Sequence, residues 1–308
     1  MMLVARALTK VYRGGVKALD NVSISVERAG IIAFVGSNGA GKTTFMRIAA
    51  GSLKPTSGSI RVMNIDIVRE PERVREITAF MPQGALPPSF STPYQFVKTY
   101  LIYRGLSTGE ARERALQYIR LFDLEEYIDR RCGELSYGTQ QRVVATAVLA
   151  SDARVMILDE PTSGLDPVAR RRFWSVLNSM RREDRMIMIT THNPEEIEFI
   201  SDHIVVLMRG RVIASGSPRE IIKSIGFKRV LEVYDGSGES LSETLARSLE
   251  RVARIRDTYL IYSSDERESE IILDKLFRDG FRVRVRPVSV LDLLILNGGG
   301  EDLEIYEN

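Results

Sequence analysis

The sequence predicts an α/β fold in which helices wrap a mainly parallel sheet, followed by a small α+β appendage. Residues Gly30–Gly51 read as an apolar strand, a glycine-rich turn and a helix. The apolar strands Arg154–Leu158 and Met186–Thr190 are separated by the helix-like stretch Arg170–Arg181. Strands that alternate with helices are typical of a parallel sheet covered on its faces. After Pro218 the pattern changes, which predicts the appendage.

Composition is that of a globular protein with a substantial core. Hydrophobic residues make up 44% of the 308 residues, and 43 basic against 41 acidic residues give a net charge of +2. This balance provides no overall field for nucleic acid or anionic lipid. The single cysteine, Cys132, excludes an internal disulfide and favours a reducing compartment. No stretch approaches the roughly 20 apolar residues of a membrane span, so we expect a chain that is soluble by itself and, given its single cysteine, cytoplasmic.

The first half of the chain predicts β structure and then helices. Leu3–Leu8, Val22–Val26 and Ser59–Val68 read as strands, which we assign to an antiparallel β subdomain. Apolar spacing and the content of Glu, Arg, Ala and Leu predict a mainly helical segment over Ser91–Ala150. We therefore expect a helical insert at about residues 84–152.

The second half predicts a hairpin around Arg209 and Gly210, and then the appendage. The appendage has a short helix after Pro218, strand-like segments RVLEVY, DTYLIYSS and FRVRVRPV, and a polar turn, GSGES (residues 236–240). We place one domain at residues 1–220 and an accessory α+β domain at residues 221–308.

A glycine-rich segment between the first buried strand and its helix matches the phosphate-loop pattern G-x-x-x-x-G-K-[ST]. Its backbone amides can surround phosphate oxygens, Lys42 can reach the β and γ phosphates, and the Thr43 hydroxyl can bind Mg²⁺. We expect a P-loop NTPase core that binds a nucleoside triphosphate through Gly36, Ser37, Asn38, Gly39, Ala40, Gly41, Lys42, Thr43 and Thr44.

Two adjacent acids end the apolar run VMILDE, which places them at the carboxyl end of a buried strand, where ligands gather in such sheets. Asp159 can hold Mg²⁺ through its water shell. Glu160 can then polarise the water that attacks the γ-phosphate. The pair therefore predicts hydrolysis.

Further motifs make the pattern specific. LSYGTQQR (residues 135–142) lies between the phosphate loop and the acids, and SGLD (residues 163–166) follows the acids. Over roughly residues 1–220 this order of motifs resembles the ABC ATPase family. The resemblance implies ATP and Mg²⁺ as cofactors. It also implies that Tyr12 stacks on adenine, that Gln83 contacts Mg²⁺ and the attacking water, and that His192 contacts the γ-phosphate.

The resemblance implies a dimer as well. In this family the signature segment caps the γ-phosphate held by the opposite subunit, which assigns that role to Ser136 and Gly138 and places Asp166 along the interface. The sequence departs from the commonest signature, LSGGQ, because Tyr137 replaces a glycine and Thr139 replaces the glutamine. Such changes resemble export-type members.

We therefore expect a transporter ATPase that dimerises on ATP and drives a separate multi-span permease, peripheral on the inner face of the cell membrane. The segment PVSVLDLLILNGGG resembles the ending of exporter ATPases. Nucleic acid is not an expected partner. Three alternatives stay open: a soluble ABC ATPase acting on ribosomes or nucleic acid, an import ATPase, and an ATP sensor, against which Glu160 argues.

Overall fold

The computed structural model describes residues 1–191, 197–234 and 251–298, together with the backbone of residues 303–307. The predicted turn at residues 236–240 and His192 lie outside these residues. The described part forms two compact units, divided within the strand Arg211–Gly216. The first takes in residues 1–191 and 200–213, and the second takes in residues 197–199 and those beyond 213.

Strands and helices of the first unit follow the predicted alternation. The strands are β1 (Leu3–Val11), β2 (Lys17–Val26), β3 (Gly30–Val35), β4 (Ser57–Val62), β5 (Ile65–Asp66), β6 (Thr78–Met81), β7 (Val155–Asp159), β8 (Met186–Thr191), β9 (His203–Met208) and β10 (Arg211–Gly216). The helices are α1 (Lys42–Ala49), α2 (Pro71–Ile77), α3 (Pro93–Tyr103), α4 (Thr108–Leu121), α5 (Tyr137–Ala150) and α6 (Pro167–Ser179).

A six-stranded sheet in the order β10-β9-β3-β8-β7-β6 carries the core. β3 pairs in parallel with β8 and β9, and β7 pairs in parallel with β6 and β8. All residues of β7 and β8 are buried, as expected for strands covered on both faces. Rings of Phe34 on β3 and Phe45 on α1 lie 4.7 Å apart and fix that helix on the sheet. The predicted mainly parallel sheet is confirmed.

The antiparallel subdomain is a four-stranded sheet in the order β2-β1-β4-β5. The predicted strand Ser59–Val68 is interrupted, because Met63 and Asn64 adopt positive φ angles of 49° and 65° and turn the chain between β4 and β5. The helical insert consists mainly of α3, α4 and α5. Thr92 and Ser107 start α3 and α4 with capping boxes, which satisfy amides that the first helical turn leaves open.

The second unit is a five-stranded sheet between helices. Its elements are α7 (Pro218–Ser224), β11 (Arg229–Tyr234), β12 (Arg251–Ile255), β13 (Thr258–Ser263), α8 (Glu266–Arg278), β14 (Arg282–Pro287), α9 (Val290–Leu296) and β15 (Leu303–Glu307), and the strand order is β14-β11-β13-β12-β15. Leu276 of α8 packs on Leu231 and Ile261, while Ile295 of α9 packs with Val230 on the other face. The predicted mixture of helices and strands is confirmed.

No helix of the described residues is long and apolar enough to cross a membrane.

A buried carboxylate holds α9 to this sheet. Asp292 is 0% exposed and accepts hydrogen bonds from the Tyr262 hydroxyl at 2.9 Å and from both terminal nitrogens of Arg286 at 2.7 and 2.8 Å. It also accepts the Ser289 amide at 2.7 Å. Arg286 pairs in turn with Glu232 at 2.6 Å. Removal of Arg286 alone would leave the Asp292 carboxylate buried without a counter-charge.

We therefore expect Asp292→Ala to destabilise the second unit by about 3 kcal/mol, because the Tyr262 hydroxyl and the Ser289 amide lose their acceptor and Arg286 keeps only Glu232 as a counter-charge. Far-UV circular dichroism follows both units during thermal unfolding, while the single tryptophan, Trp174, reports on the first unit. The variant should show an early dichroism transition that precedes the Trp174 transition. Asp184→Ala is the control, because Asp184 is 64% exposed and meets Arg182 only at 3.8 Å. Equal unfolding of the two variants would contradict this account.

Candidate functional site

A cleft of about 630 Å³ lies in the first unit and is of the size that small-molecule ligands occupy. It brings together predicted residues that are far apart in sequence. Its lining comprises Tyr12, Val16, Lys17, Ala18, Asn38, Gly39, Ala40, Gly41, Lys42, Thr43, Thr44, Gln83 and Glu160. Gly36 and Ser37 complete the loop that connects β3 to this cleft.

Gly41 lies in the phosphate loop and directly precedes Lys42, the first residue of α1. Gly41 has a φ of 103°, and a Cβ there would lie 2.5 Å from the carbonyl oxygen of Ala18. A side chain is therefore excluded twice, by backbone conformation and by space. The open amides at the start of α1 present the positive end of the helix dipole, which favours a bound anion.

Lys42 is held inside this loop. Its side chain is 5% exposed, and its ammonium donates hydrogen bonds to the carbonyl oxygens of Gly36 at 2.7 Å and Ser37 at 3.0 Å. Burial lowers the pKa of Lys42, while the nearby carboxylates of Glu160 and Asp159 act in the opposite direction. Two neutral carbonyl oxygens thus hold the ammonium within the loop.

Tyr12 also lines the cleft. Its hydroxyl lies 3.2 Å from the Thr44 hydroxyl, and the ammonium of Lys10 lies 5.5 Å from the centre of its ring. The ring is therefore tied to α1 and available as a flat apolar surface within the cleft.

Asp159 ends β7 and is 1% exposed. Its Oδ1 accepts a hydrogen bond from the Thr190 hydroxyl at 2.6 Å, whereas its Oδ2 has no hydrogen-bond partner within the described residues. Burial raises the pKa of Asp159, and interactions with Thr190 and Thr43 oppose that rise. A buried carboxylate oxygen without a donor is a strong candidate for binding a cation.

Glu160 has a φ of 52°, which is uncommon for a residue with a side chain. Its amide donates to the Thr190 hydroxyl at 2.8 Å, and its Oε2 accepts from the Gln83 amide nitrogen at 3.0 Å. Gln83 follows β6, Glu160 follows β7 and Thr190 belongs to β8. These three strands are neighbours and parallel, so their carboxyl ends meet.

The predicted signature residues do not line this cleft. Ser136 is the N-cap of α5, and its oxygen accepts the Thr139 amide at 3.2 Å. A Cβ on Gly138 would lie 2.3 Å from the carbonyl oxygen of Gly164, so the signature touches the SGLD loop closely. Asp166 is the N-cap of α6 and accepts the amides of Val168 and Ala169, both at 2.9 Å. The Ala169 amide is the main reason that the pKa of Asp166 is lowered.

Tyr137, the unusual signature residue, is 49% exposed and its ring lies against Gly164. Its hydroxyl is 3.4 Å from the side-chain nitrogen of Gln141, which donates to the carbonyl oxygen of Ala85 at 2.8 Å. Gln141 therefore connects the signature helix to the segment that follows Gln83.

Two of these contacts involve residues that the sequence analysis did not select. Thr190 stands in the otherwise apolar strand MIMITT, and Gln141 stands within LSYGTQQR. A polar residue in a fully buried strand was the available signal for Thr190. Its partners on the neighbouring strand could not be read from the local pattern.

Comparisons with known proteins identify the family of this chain. The model of the ABC transporter family matches residues 19–163. The chain is 33% identical over 302 residues to the Nod factor export ATP-binding protein I of Cupriavidus metallidurans, covering 97% of this chain and 98% of the relative. It is 30% identical over 295 residues to the protein of that name from Rhizobium etli, covering 96% and 92%.

Solved structures of ATP-binding cassettes are similar to this chain. One, described as the ATP-binding subunit of an ABC transporter, has a TM-score of 0.67 at 27% identity and covers 73% of this chain and 94% of its own. Another is a dimeric ATP-binding cassette in a post-hydrolysis state with ADP and Pi, with a TM-score of 0.65 at 27% identity, covering 70% and 98%. The chain therefore belongs to the ABC transporter family, in which it is an ATP-binding subunit with ATPase activity.

Proposed function

We propose that this chain uses Mg²⁺-dependent ATP hydrolysis to drive export through a separate membrane permease. The observation that carries the hydrolytic role is the cleft that unites the phosphate loop, Gln83 and Glu160. Export is supported by relatives whose similarity extends over 96–97% of the chain and whose names state export.

In this proposal the nucleotide occupies the cleft, with its phosphates in the loop from Gly36 to Thr43 and its adenine against Tyr12. Lys42 turns from the carbonyl oxygens of Gly36 and Ser37 toward the β and γ phosphates. That exchange replaces neutral acceptors with charged ones, which strengthens the hydrogen bonds of a buried ammonium.

The residues also fit Mg²⁺. Asp159 Oδ2 is buried without a donor, and Thr43 and Gln83 supply a hydroxyl and an amide oxygen. No group of three or more His, Cys, Asp or Glu side chains that could hold a metal occurs in the described part of the chain. Mg²⁺ suits such a sparse site, because it is commonly held by one or two carboxylates, waters and substrate phosphates. When bound, it would neutralise charge that develops on the phosphates.

Hydrolysis is assigned to Glu160. Its carboxylate accepts a proton from the attacking water. The side-chain amide of Gln83 donates to this carboxylate at 3.0 Å and orients it. His192 would contact the γ-phosphate, as the family resemblance implies. Asp159 stays ionised beside the cation.

The remaining predicted residues act between subunits. Ser136 and Gly138 are not among the residues that line the cleft, which supports a site completed by a second copy or a related ATPase. Each signature would then cap the γ-phosphate of the opposite subunit, and Asp166 would lie along the interface. The dimer is thus part of the proposal.

We further propose that residues 1–220 contain the motor and that residues 221–308 are accessory. The permease would contact the helical insert near Gln83 on the cytoplasmic face of the membrane. Leu86, Phe90 and Tyr103 are 49%, 79% and 86% exposed, and large apolar side chains at such exposure are suited to a protein partner. Nucleic acid is not part of this proposal.

We predict that Glu160→Gln retains ATP affinity and loses at least about 100-fold in turnover, because an amide cannot accept the proton. Phosphate release and equilibrium ATP binding measure the two properties separately. Glu183→Gln, at an exposed position, is the matched control and should hydrolyse at the wild-type rate.

Lys42→Ala should instead reduce ATP affinity, the property that Glu160→Gln retains. It removes a charge from the phosphate site and should weaken ATP binding by about tenfold or more. Normal turnover of Glu160→Gln, or unchanged ATP affinity of Lys42→Ala, would contradict the assigned roles.

A tagged chain recovered from detergent-solubilised native membranes, with and without ATP, should bring along a multi-span membrane protein that mass spectrometry identifies. Phe90→Asp should reduce that recovery, because it places a charge on the exposed apolar position. Phe277→Asp, a 56% exposed position in the second unit, serves as the control. Recovery of ribosomes or DNA in place of a membrane protein would contradict the transport role.

A further inference from the structure

One buried hydroxyl connects both acids of the site. Thr190 belongs to β8 and is 0% exposed. Its oxygen lies 2.8 Å from the Glu160 amide nitrogen and 2.6 Å from Asp159 Oδ1. At such burial a hydroxyl finds its hydrogen-bond partners inside the protein, and these two residues supply them.

Chemistry fixes the direction of both hydrogen bonds. An amide nitrogen can only donate, so the Thr190 oxygen accepts from Glu160. The single hydroxyl proton is then available for Asp159, whose ionised carboxylate can only accept. Thr190 therefore acts as acceptor to one acid's backbone and as donor to the other acid's side chain.

For Asp159, the bond engages Oδ1 and leaves Oδ2 as the oxygen without a partner among the described residues. A carboxylate that is anchored through one oxygen cannot rotate freely. Its other oxygen is consequently presented in one direction, which is what a ligand to a cation with strict geometry requires.

For Glu160, the bond supports an unfavourable backbone conformation. The residue has a φ of 52°, a region that residues with side chains rarely adopt and that neighbouring contacts must stabilise. The amide bond to Thr190 is such a contact, and the Glu160 side chain then meets Gln83 at 3.0 Å.

We propose that Thr190 is a positioning residue for ATP hydrolysis, whose hydroxyl orients Asp159 for the cation and Glu160 for the attacking water. The inference rests on the proposed roles of those two acids. It assigns Thr190 no contact with ATP. It predicts that the hydroxyl affects turnover and metal use and leaves metal-free nucleotide binding unchanged.

Thr190→Val and Thr190→Ser test it. Valine keeps the branched shape and removes both hydrogen bonds, whereas serine keeps the hydroxyl. Thr190→Val should lose about 10–100-fold in kcat, the size of effect that small misplacements of catalytic groups produce. It should also need a several-fold higher Mg²⁺ concentration for half-maximal turnover, and Thr190→Ser should recover most of both losses.

A binding measurement adds a readout that does not depend on turnover. In the Glu160→Gln background, Thr190→Val should leave ATP affinity unchanged in EDTA and reduce the gain in affinity that Mg²⁺ provides by several-fold. Unchanged affinity in EDTA also shows that the variant is folded. If Thr190→Val does not bind ATP in EDTA, Thr190→Cys replaces it, with the same expected losses because a thiol is a weak donor and acceptor.

Thr146→Val is the matched control. Thr146 is also 0% exposed and its hydroxyl donates to the Arg142 carbonyl oxygen at 2.7 Å, within α5 and without contact to the acids. Wild-type turnover in Thr190→Val, an equal loss in Thr146→Val, or no recovery in Thr190→Ser would overturn the proposal. If Glu160→Gln hydrolyses normally, the proposed function itself fails. If Glu160→Gln is inactive and Thr190→Val is active, only the role of Thr190 fails.

Discussion

The site depends on the parallel pairing of β7 with β6 on one side and β8 on the other. This pairing places Gln83, the two acids and Thr190 at one edge of the sheet, although 107 positions separate the first from the last. Asp159 and Thr190 are buried there, so their polar groups must find partners inside the protein. The bonds from Thr190 to Asp159 and Glu160 meet that demand.

Burial also gives the charges of the cleft their strength. Lys42 and Asp159 are 5% and 1% exposed. Burial lowers the pKa of Lys42 and raises the pKa of Asp159, and both shifts favour the neutral form of the side chain. Such groups lower their energy when an opposite charge arrives. A nucleotide with its cation supplies both signs, which makes binding and the ionised state of the site mutually reinforcing.

Much of the fold and of the site could be predicted because the signals are local. The segment from Gly36 to Thr43 carries its own backbone requirements, and Gly41 has no room for a side chain. Continuous apolar runs predict β3, β7 and β8. The break at Met63 and Asn64 was missed, because positive φ at two non-glycine residues has little sequence signal. Thr190 has a different explanation: its importance comes from strand pairing that joins it to residues 30 and 31 positions earlier in the chain.

ATP-dependent pairing of two copies is tested most directly by light scattering of the Glu160→Gln variant, which retains the phosphate loop and the signature segment. With Mg²⁺ and ATP, the measured mass should be twice that of the chain, and with ADP it should return to one chain. A mass of one chain under conditions in which ATP is shown to be bound would contradict the pairing of two copies of this chain, in which the signature of one copy completes the site of the other.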